Sequence, residues 1–432
     1  MYRTNINNLI KWKLNITRKP LIFLGARQVG KTWLLQEFGK TEYRQMVYVN
    51  FEDKEAPKNI FMEDYNIDRI ITLLNAYSSL KITAEDTLLI FDEIQAAPQG
   101  ITALKYFYEK APEYQIIAAG SLLGINMHPN ESFPVGKVEF LTLYPLSFIE
   151  FLLALGENGL VDLIEQRDWQ LVNSFSTKLI NYLRYYFYIG GMPEAVLNFS
   201  QNRDWQQVRK IQKDILTSYK NDFSKHAPKE ILPRINMVWE SIPVQLAKEN
   251  KKFIYGVMKQ GARAKEFELA IQWLVDSGLL HKIYSVKKTA LPLVAYQELS
   301  AFKLFHNDIG LLGAMSNLNA KTLIHGNDVF KEFKGALTEQ FVFQQLKLKK
   351  DLSIHYFPFD NNKYEVDFVI QNNEDEIIPI EVKAGENLRA KSFKLFCEKF
   401  NPKIAIKTSL SDYKKESWMT NVPLYVVEQY LH

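Results

Sequence analysis

One cysteine, Cys397, stands in 432 residues, which excludes any disulfide within the chain and points to a reducing compartment. No apolar run approaches the roughly 20 residues that span a bilayer. The first ten residues, Met1 to Ile10, contain no apolar stretch of signal-peptide length. These absences predict a cytoplasmic protein with no membrane partner. Hydrophobic residues at 47% and charged residues at 24% are ordinary proportions for a globular protein, and the length predicts two to four domains. No large excess of one charge is present either, since the net charge is only +4. That figure hides an asymmetry: residues 1–205 carry 20 Lys and Arg against 23 Asp and Glu, whereas residues 206–432 carry 33 against 26. The basic half is suited to a polyanion such as DNA, although lysines spread over a solvated surface give the same count.

Against this plain background, Gly25-Ala26-Arg27-Gln28-Val29-Gly30-Lys31-Thr32 matches G-x-x-x-x-G-K-[ST] at every position. It follows the apolar run Leu21 to Leu24 and precedes Trp33-Leu34-Leu35, the strand-to-helix setting that a phosphate-binding loop requires. Backbone N–H groups of such a loop converge on a phosphate chain, and the following helix points its positive end there. The residues expected to hold ATP are Gly25, Ala26, Arg27, Gln28, Val29, Gly30, Lys31, Thr32 and Trp33. Lys31 reaches the β- and γ-phosphates, and Thr32 offers its hydroxyl to the Mg²⁺ that arrives with the nucleotide.

Strands are predicted at Met46–Phe51, Leu88–Glu93 and Gln115–Ala119, alternating with helices, which argues a parallel sheet. The second ends in Asp92-Glu93, about sixty residues after the loop, as in a Walker B strand. Asp92 is placed to hold Mg²⁺, and Glu93 to orient or deprotonate the attacking water.

The loop, Phe91-Asp92-Glu93-Ile94-Gln95 with Pro98, Ala119-Gly120-Ser121, Leu143 to Phe151 and Gly190-Gly191-Met192-Pro193-Glu194 together resemble prokaryotic AAA-domain ATP-binding proteins that carry a C-terminal domain of unknown function. Asn307 to Leu312 and Glu365-Val366-Asp367-Phe368 continue the resemblance over nearly the whole chain. It implies that Ser121 helps to position water beside the γ-phosphate. One position departs from the family pattern, where Gly136 is followed by Lys137 instead of arginine. A lysine offers a point charge in place of a planar fork, so no arginine finger is assigned there.

Residues 146–225 read as helices, with an aromatic-dense stretch from Tyr182 to Tyr188 that suits core packing better than base stacking. Residues 226–300 read as helix, turn, helix and a basic hairpin, the plan of a winged helix, in which Arg263, Lys265, Lys287 and Lys288 are placed to meet phosphates. The remainder changes character. A helix carrying Glu339 is followed by strands at Ile354–Phe357, Tyr364–Ile370 and Ile377–Lys383. Alternation puts Glu365 with Asp367, and Glu381 with Lys383, on shared faces. Carboxylates holding divalent ions beside a lysine are what phosphodiester hydrolysis needs. The order Glu339, Asp367, Glu381-Val382-Lys383 resembles the PD-(D/E)xK nuclease superfamily, with Val366 where proline is typical. That resemblance implies metal ligands at Glu339, Asp367 and Glu381, and catalytic roles for Glu381 and Lys383.

The sequence therefore predicts an α/β chain. Its expected parts are a P-loop AAA-type core (1–145, a parallel sheet with flanking helices), a helical lid-like region (146–225), a winged-helix-like domain (226–300) and a restriction-endonuclease-like α/β domain (301–432). The expected function is Mg·ATP hydrolysis by Lys31, Thr32, Asp92 and Glu93, with Ser121 assisting, controlling a terminal domain that acts on or binds nucleic acid. The rival expectation is a nucleotide-gated switch or scaffold whose terminal domain binds DNA or protein without cleaving; a protein partner or a homo-oligomer of the chain is also expected.

Overall fold

The computed structural model describes residues 1–54, 56–120, 134–248, 252–325, 331–385 and 390–431. The chain divides into two compact units, one of residues 2–144 with 276–278 and the other of the remaining chain.

The first unit is built on five strands: β1 (Leu21–Leu24), β2 (Gln45–Asn50), β3 (Thr87–Asp92), β4 (Gln115–Gly120) and β5 (Glu139–Thr142). They lie in the order β2-β3-β4-β1-β5, every pairing parallel. Helices α1 (Asn5–Leu14), α2 (Lys31–Glu42), α3 (Ile67–Ser78) and α4 (Pro98–Lys110) alternate with them. A parallel sheet is covered on both faces, which explains why β3 and β4 are buried throughout and read as unbroken apolar runs. Val47, Val49, Leu89, Phe91, Ile116 and Ala118 from the sheet pack with Ile70, Leu74, Leu104 and Phe107 from the helices. The chain leaves β1 toward one side of the sheet and leaves β4 toward the other. Ligands of open α/β sheets bind at the carboxyl ends of strands at such a reversal.

The second unit begins with helices α5 (Phe148–Ala154), α6 (Asn158–Glu165), α7 (Trp169–Asn173), α8 (Ser176–Ile189), α9 (Pro193–Asn202) and α10 (Trp205–His226). The start of α5 is a capping box: Ser147 Oγ accepts from Glu150 N and Glu150 Oε2 accepts from Ser147 N, each at 3.1 Å. The aromatic stretch on α8 packs inward, with Tyr186 edge-on to Phe148, Phe151 and Phe341. After α11 (Leu232–Leu246) and α12 (Ala264–Asp276), strands β6 (Leu280–Val286) and β7 (Gln297–His306) form an antiparallel pair. The helix, helix, hairpin order is thus present, but the hairpin does not stand alone. β6 also meets β8 (Ser353–Phe359) through Ser285 and Tyr356, so the pair forms the edge of a larger mixed sheet. That sheet has the order β12-β13-β11-β10-β9-β8-β6-β7 and includes β9 (Tyr364–Gln371), β10 (Ile377–Val382), β11 (Ile406–Ser409), β12 (Lys414–Lys415) and β13 (Thr420–Pro423). Helices α13 (Ile309–Met315), α14 (Ala320–His325), α15 (Lys331–Lys347), α16 (Lys391–Phe400) and α17 (Val427–Tyr430) complete the unit. Phe393 and Phe396 of α16 pack on Phe357 and Phe359 of β8.

Two motifs that are distant in sequence meet in this unit. Asp308 caps α13 by accepting from Leu311 N at 2.9 Å, and its other oxygen accepts from Gly191 N at 2.6 Å. The carboxylate is fully buried, and burial raises its pKa to about 6 against those N–H bonds. Glycine is needed for space: a Cβ on Gly310 would sit 2.4 Å from Ile189 O, and one on Gly191 would sit 2.2 Å from Leu146 O. The Gly190–Glu194 and Asn307–Leu312 segments are therefore one packing knot. Replacing Asp308 by alanine removes a cap and leaves the Gly191 N–H buried and unpaired, so a loss of about 2–4 kcal/mol in denaturant unfolding is expected. Asp308→Asn retains an acceptor oxygen and is expected to lose less. Equal stability of the alanine variant and wild type would contradict this assignment.

Candidate nucleotide site and acidic cluster

The loop from β1 to α2 is shaped by two glycines. Gly30 takes a left-handed conformation (φ +92°) at the helix start, and a Cβ on Gly25 would lie 2.6 Å from Leu143 O. Lys31 is buried, and its Nζ donates to Gly25 O at 2.9 Å and Ala26 O at 3.1 Å. Burial pulls this ammonium below the usual lysine value, opposed by Glu93 and Asp92. Arg27 pairs with Glu52 at 3.8 Å, Val29 is fully buried, Gln28 has φ +65°, and Trp33 is exposed on the first turn of α2.

Strand β3 ends two places across the sheet from β1 and delivers Asp92 to the same region. Thr32 Oγ1 donates to Asp92 Oδ2 at 2.7 Å, and Tyr48 Oη from β2 donates to the same oxygen at 2.8 Å. Glu93 follows in a left-handed conformation (φ +49°), strained for a non-glycine residue, with its N–H on Asp92 Oδ1 at 3.0 Å. Its carboxylate accepts from Gln95 Nε2. Burial pushes Glu93 above the usual carboxylate value, against the Gln95 bond and Lys31. Lys31, Thr32, Asp92 and Glu93 are therefore brought together. Ser121 lies outside the described residues.

The sequence does not mark Arg3 or Tyr48, and it marks Gln95 only as part of the Phe91–Gln95 segment. Arg3 is 4% exposed, and it donates to Val29 O at 2.9 Å and Tyr144 O at 2.5 Å, so α1's leading segment braces the loop from below. An arginine near the start of a chain carries no local sign of such a partner.

In the second unit, Glu339 lies on α15, Glu365 and Asp367 on β9, and Glu381 on β10, with Lys383 just beyond it. Asp367 Oδ2 accepts from Val382 N at 2.7 Å, and Lys383 Nζ lies 2.6 Å from Glu381 Oε1. Glu381 is buried, and its Oε2 has no hydrogen-bond partner among the described residues. Burial raises its pKa, against the pull of Lys383. The residue absent from the sequence reading is Lys303 of β7. It is fully buried, 2.5 Å from Glu365 Oε1 and 3.8 Å from Glu339 Oε2, with its ammonium 4.7 Å from the centroid of the Tyr356 ring. Burial works to lower its pKa, yet Glu365, Glu339 and Asp367 outweigh that and hold it charged. The available signal was a lone charge inside the apolar strand Ala301-Phe302-Lys303-Leu304-Phe305. Among the described residues, no three His, Cys, Asp or Glu side chains are grouped to hold a metal ion. Arg263 and Lys265 at the start of α12 and Lys287 and Lys288 after β6 are all exposed, with Lys287 paired to Glu298 at 2.7 Å. Among the described residues, no helix is long and apolar enough to cross a membrane.

Residues 17–152 match the family model described as an AAA domain. Residues 180–322 and 334–426 match two models described as domains of unknown function, DUF8612 and DUF4143. No curated protein matches the chain. Among solved structures, it is similar to the Walker-type ATPase of Pyrococcus abyssi at 13% identity and a TM-score of 0.45, over 72% of this chain and 94% of that one. It is also similar to the Aeropyrum pernix ORC1 protein in complex with DNA (12% identity, TM-score 0.31, 73% and 93% covered). A third is AMPPCP-bound DnaA from Aquifex aeolicus (13% identity, TM-score 0.27, 62% and 84% covered). The first unit is thus an AAA-type P-loop domain by family match and by loop geometry, and the second carries a mixed sheet.

Arg3 gives this site a test remote from the nucleotide itself. Arg3→Ala strips a charged donor from two carbonyls, so the first unit is expected to lose about 2–3 kcal/mol. ATP affinity, followed by titration with a fluorescent analogue, should fall with it. Unchanged affinity and stability would show that the brace is incidental.

Proposed function

We propose that this chain binds and hydrolyses Mg·ATP in its first unit and uses the nucleotide state to control a PD-(D/E)xK-like C-terminal domain, residues 301–432 of the second unit, that acts on or binds nucleic acid. The observation that carries the first part is the Thr32–Asp92 hydrogen bond beside the strained Glu93. A hydroxyl and a carboxylate side by side fit Mg²⁺: Thr32 and Asp92 would hold it, and it would offset the negative charge of the phosphates. Loop N–H groups orient the phosphates, and Lys31 turns from the Gly25 and Ala26 carbonyls toward them. Tyr48 holds Asp92 from the far side, so this carboxylate keeps its orientation. Gln95 fixes the Glu93 carboxylate, which takes the proton of the attacking water at Oε1 or Oε2.

A nucleic-acid role for the second unit is supported by the net positive half and by the exposed Arg263, Lys265, Lys287 and Lys288. The restriction-endonuclease-like reading is supported by the order of α15, β8, β9 and β10 and by the Asp367, Glu381 and Lys383 arrangement. A second reading, binding without cleavage, is favoured by Lys303, whose ammonium lies among the carboxylates.

Glu93→Gln should cut ATP turnover about 10²–10⁴-fold while leaving ATP binding intact. Turnover equal to wild type would sink the assignment. Because the folded-state pKa of Glu93 is raised, its base form is lost as pH falls through that raised value. The acid limb of kcat should therefore lie at higher pH than an ordinary glutamate gives, and should disappear in Glu93→Gln if residual turnover is measurable. ATPase stimulation by DNA that declines steeply with salt would report phosphate contact by the second unit, and stimulation independent of salt would argue against it.

A further inference from the structure

Each carboxylate of the acidic cluster already has a partner within the protein. Glu365 and Glu339 face Lys303 Nζ at 2.5 and 3.8 Å, Asp367 takes the Val382 N–H at 2.7 Å, and Glu381 holds Lys383 at 2.6 Å. Lys303 is fully buried on a strand packed against α11 and α15, so its ammonium cannot leave for solvent without disturbing that packing. Tyr356 closes one side through its ring face.

A divalent ion in the same place needs carboxylate oxygens at roughly 2.0–2.6 Å in converging array. Such an ion would share Glu339 with a fixed ammonium and lie within a few ångströms of it, and like charges at that range repel strongly in a buried setting. The residues present therefore do not fit a divalent metal, despite the orphan Glu381 Oε2. An ammonium answers the charge of carboxylates but cannot do a metal's chemistry. It has no open coordination position at which water could be acidified.

We propose that the Lys303 ammonium is the resident cation of the Glu339–Glu365–Asp367 carboxylates beside Glu381, standing where a divalent metal would otherwise sit, so that the second unit engages nucleic acid without hydrolysing it. This rests on the PD-(D/E)xK-like reading of the cluster and deepens it. Lys303 is a positioning residue that fixes Glu365 and Glu339. The partner is a nucleic-acid backbone, met by exposed basic residues and not by this cluster.

The test is Mn²⁺ binding to the full-length protein without nucleotide, read by the electron paramagnetic resonance signal of free Mn²⁺. Wild type and Glu381→Gln are expected to bind the same amount at millimolar Mn²⁺. Lys303→Gln, which removes the charge but keeps a hydrogen-bonding head, is expected to gain one bound ion that is lost again in the Lys303→Gln, Glu381→Gln double variant. A Mn²⁺ ion bound by wild type and lost in Glu381→Gln overturns the Lys303 assignment and leaves the nuclease-like reading standing. A folded Lys303→Gln that gains no ion overturns both, because the cluster would then not be a metal pocket at all. If circular dichroism shows Lys303→Gln unfolded, Lys303→Met takes its place under the same criteria.

Discussion

Taking a carboxylate or an ammonium out of water costs several kcal/mol unless another group meets its charge or its hydrogen bonds. Much of this structure is arranged around that constraint. Asp92 is met by Thr32 and Tyr48, Lys31 by loop carbonyls, Asp308 by the N–H groups of Gly191 and Leu311, and the acidic cluster by Lys303 and Lys383. The Asp92, Asp308 and Lys303 pairings also pin separate segments together, so these charges organise the backbone as well as the sites.

The two units meet the constraint differently. In the first, partners of the buried groups are neutral and replaceable: a hydroxyl, a phenol and backbone carbonyls. Such partners can be exchanged for phosphate oxygens and Mg²⁺ at small cost, which is what a site that turns over its ligand requires. In the second, the partner is a covalently tethered cation on a buried strand. A site built that way holds its shape through that ion pair.

The strands and the phosphate loop were legible in the sequence because their determinants are local. Unbroken apolar runs mark buried parallel strands, and Gly30 before Lys31 marks a turn with positive φ. Asp92 and Glu93 were legible for the same reason, at the end of such a run. Arg3 and Tyr48 were not, since their partners lie 26 to 141 residues away and nothing near them signals it. Attention to the exposed Lys287 and Lys288 passed over Lys303, although a charge in an apolar strand is the rarer event. The hairpin's continuation into the mixed sheet depends on a pairing between Ser285 and Tyr356, which no local pattern encodes. Aspartate 308 and the Gly190-Gly191 pair were visible as motifs, but only the fold shows that they are one contact.

In the function proposed, ATP hydrolysis is assigned to Glu93 and no strand cleavage to Glu381. The most direct measurement places Mg·ATP, labelled double-stranded DNA and the intact protein in one tube, and follows phosphate release and strand length together. The account predicts phosphate release with the DNA left whole. Strand scission that stops in Glu381→Gln, or no phosphate release at all, would contradict it.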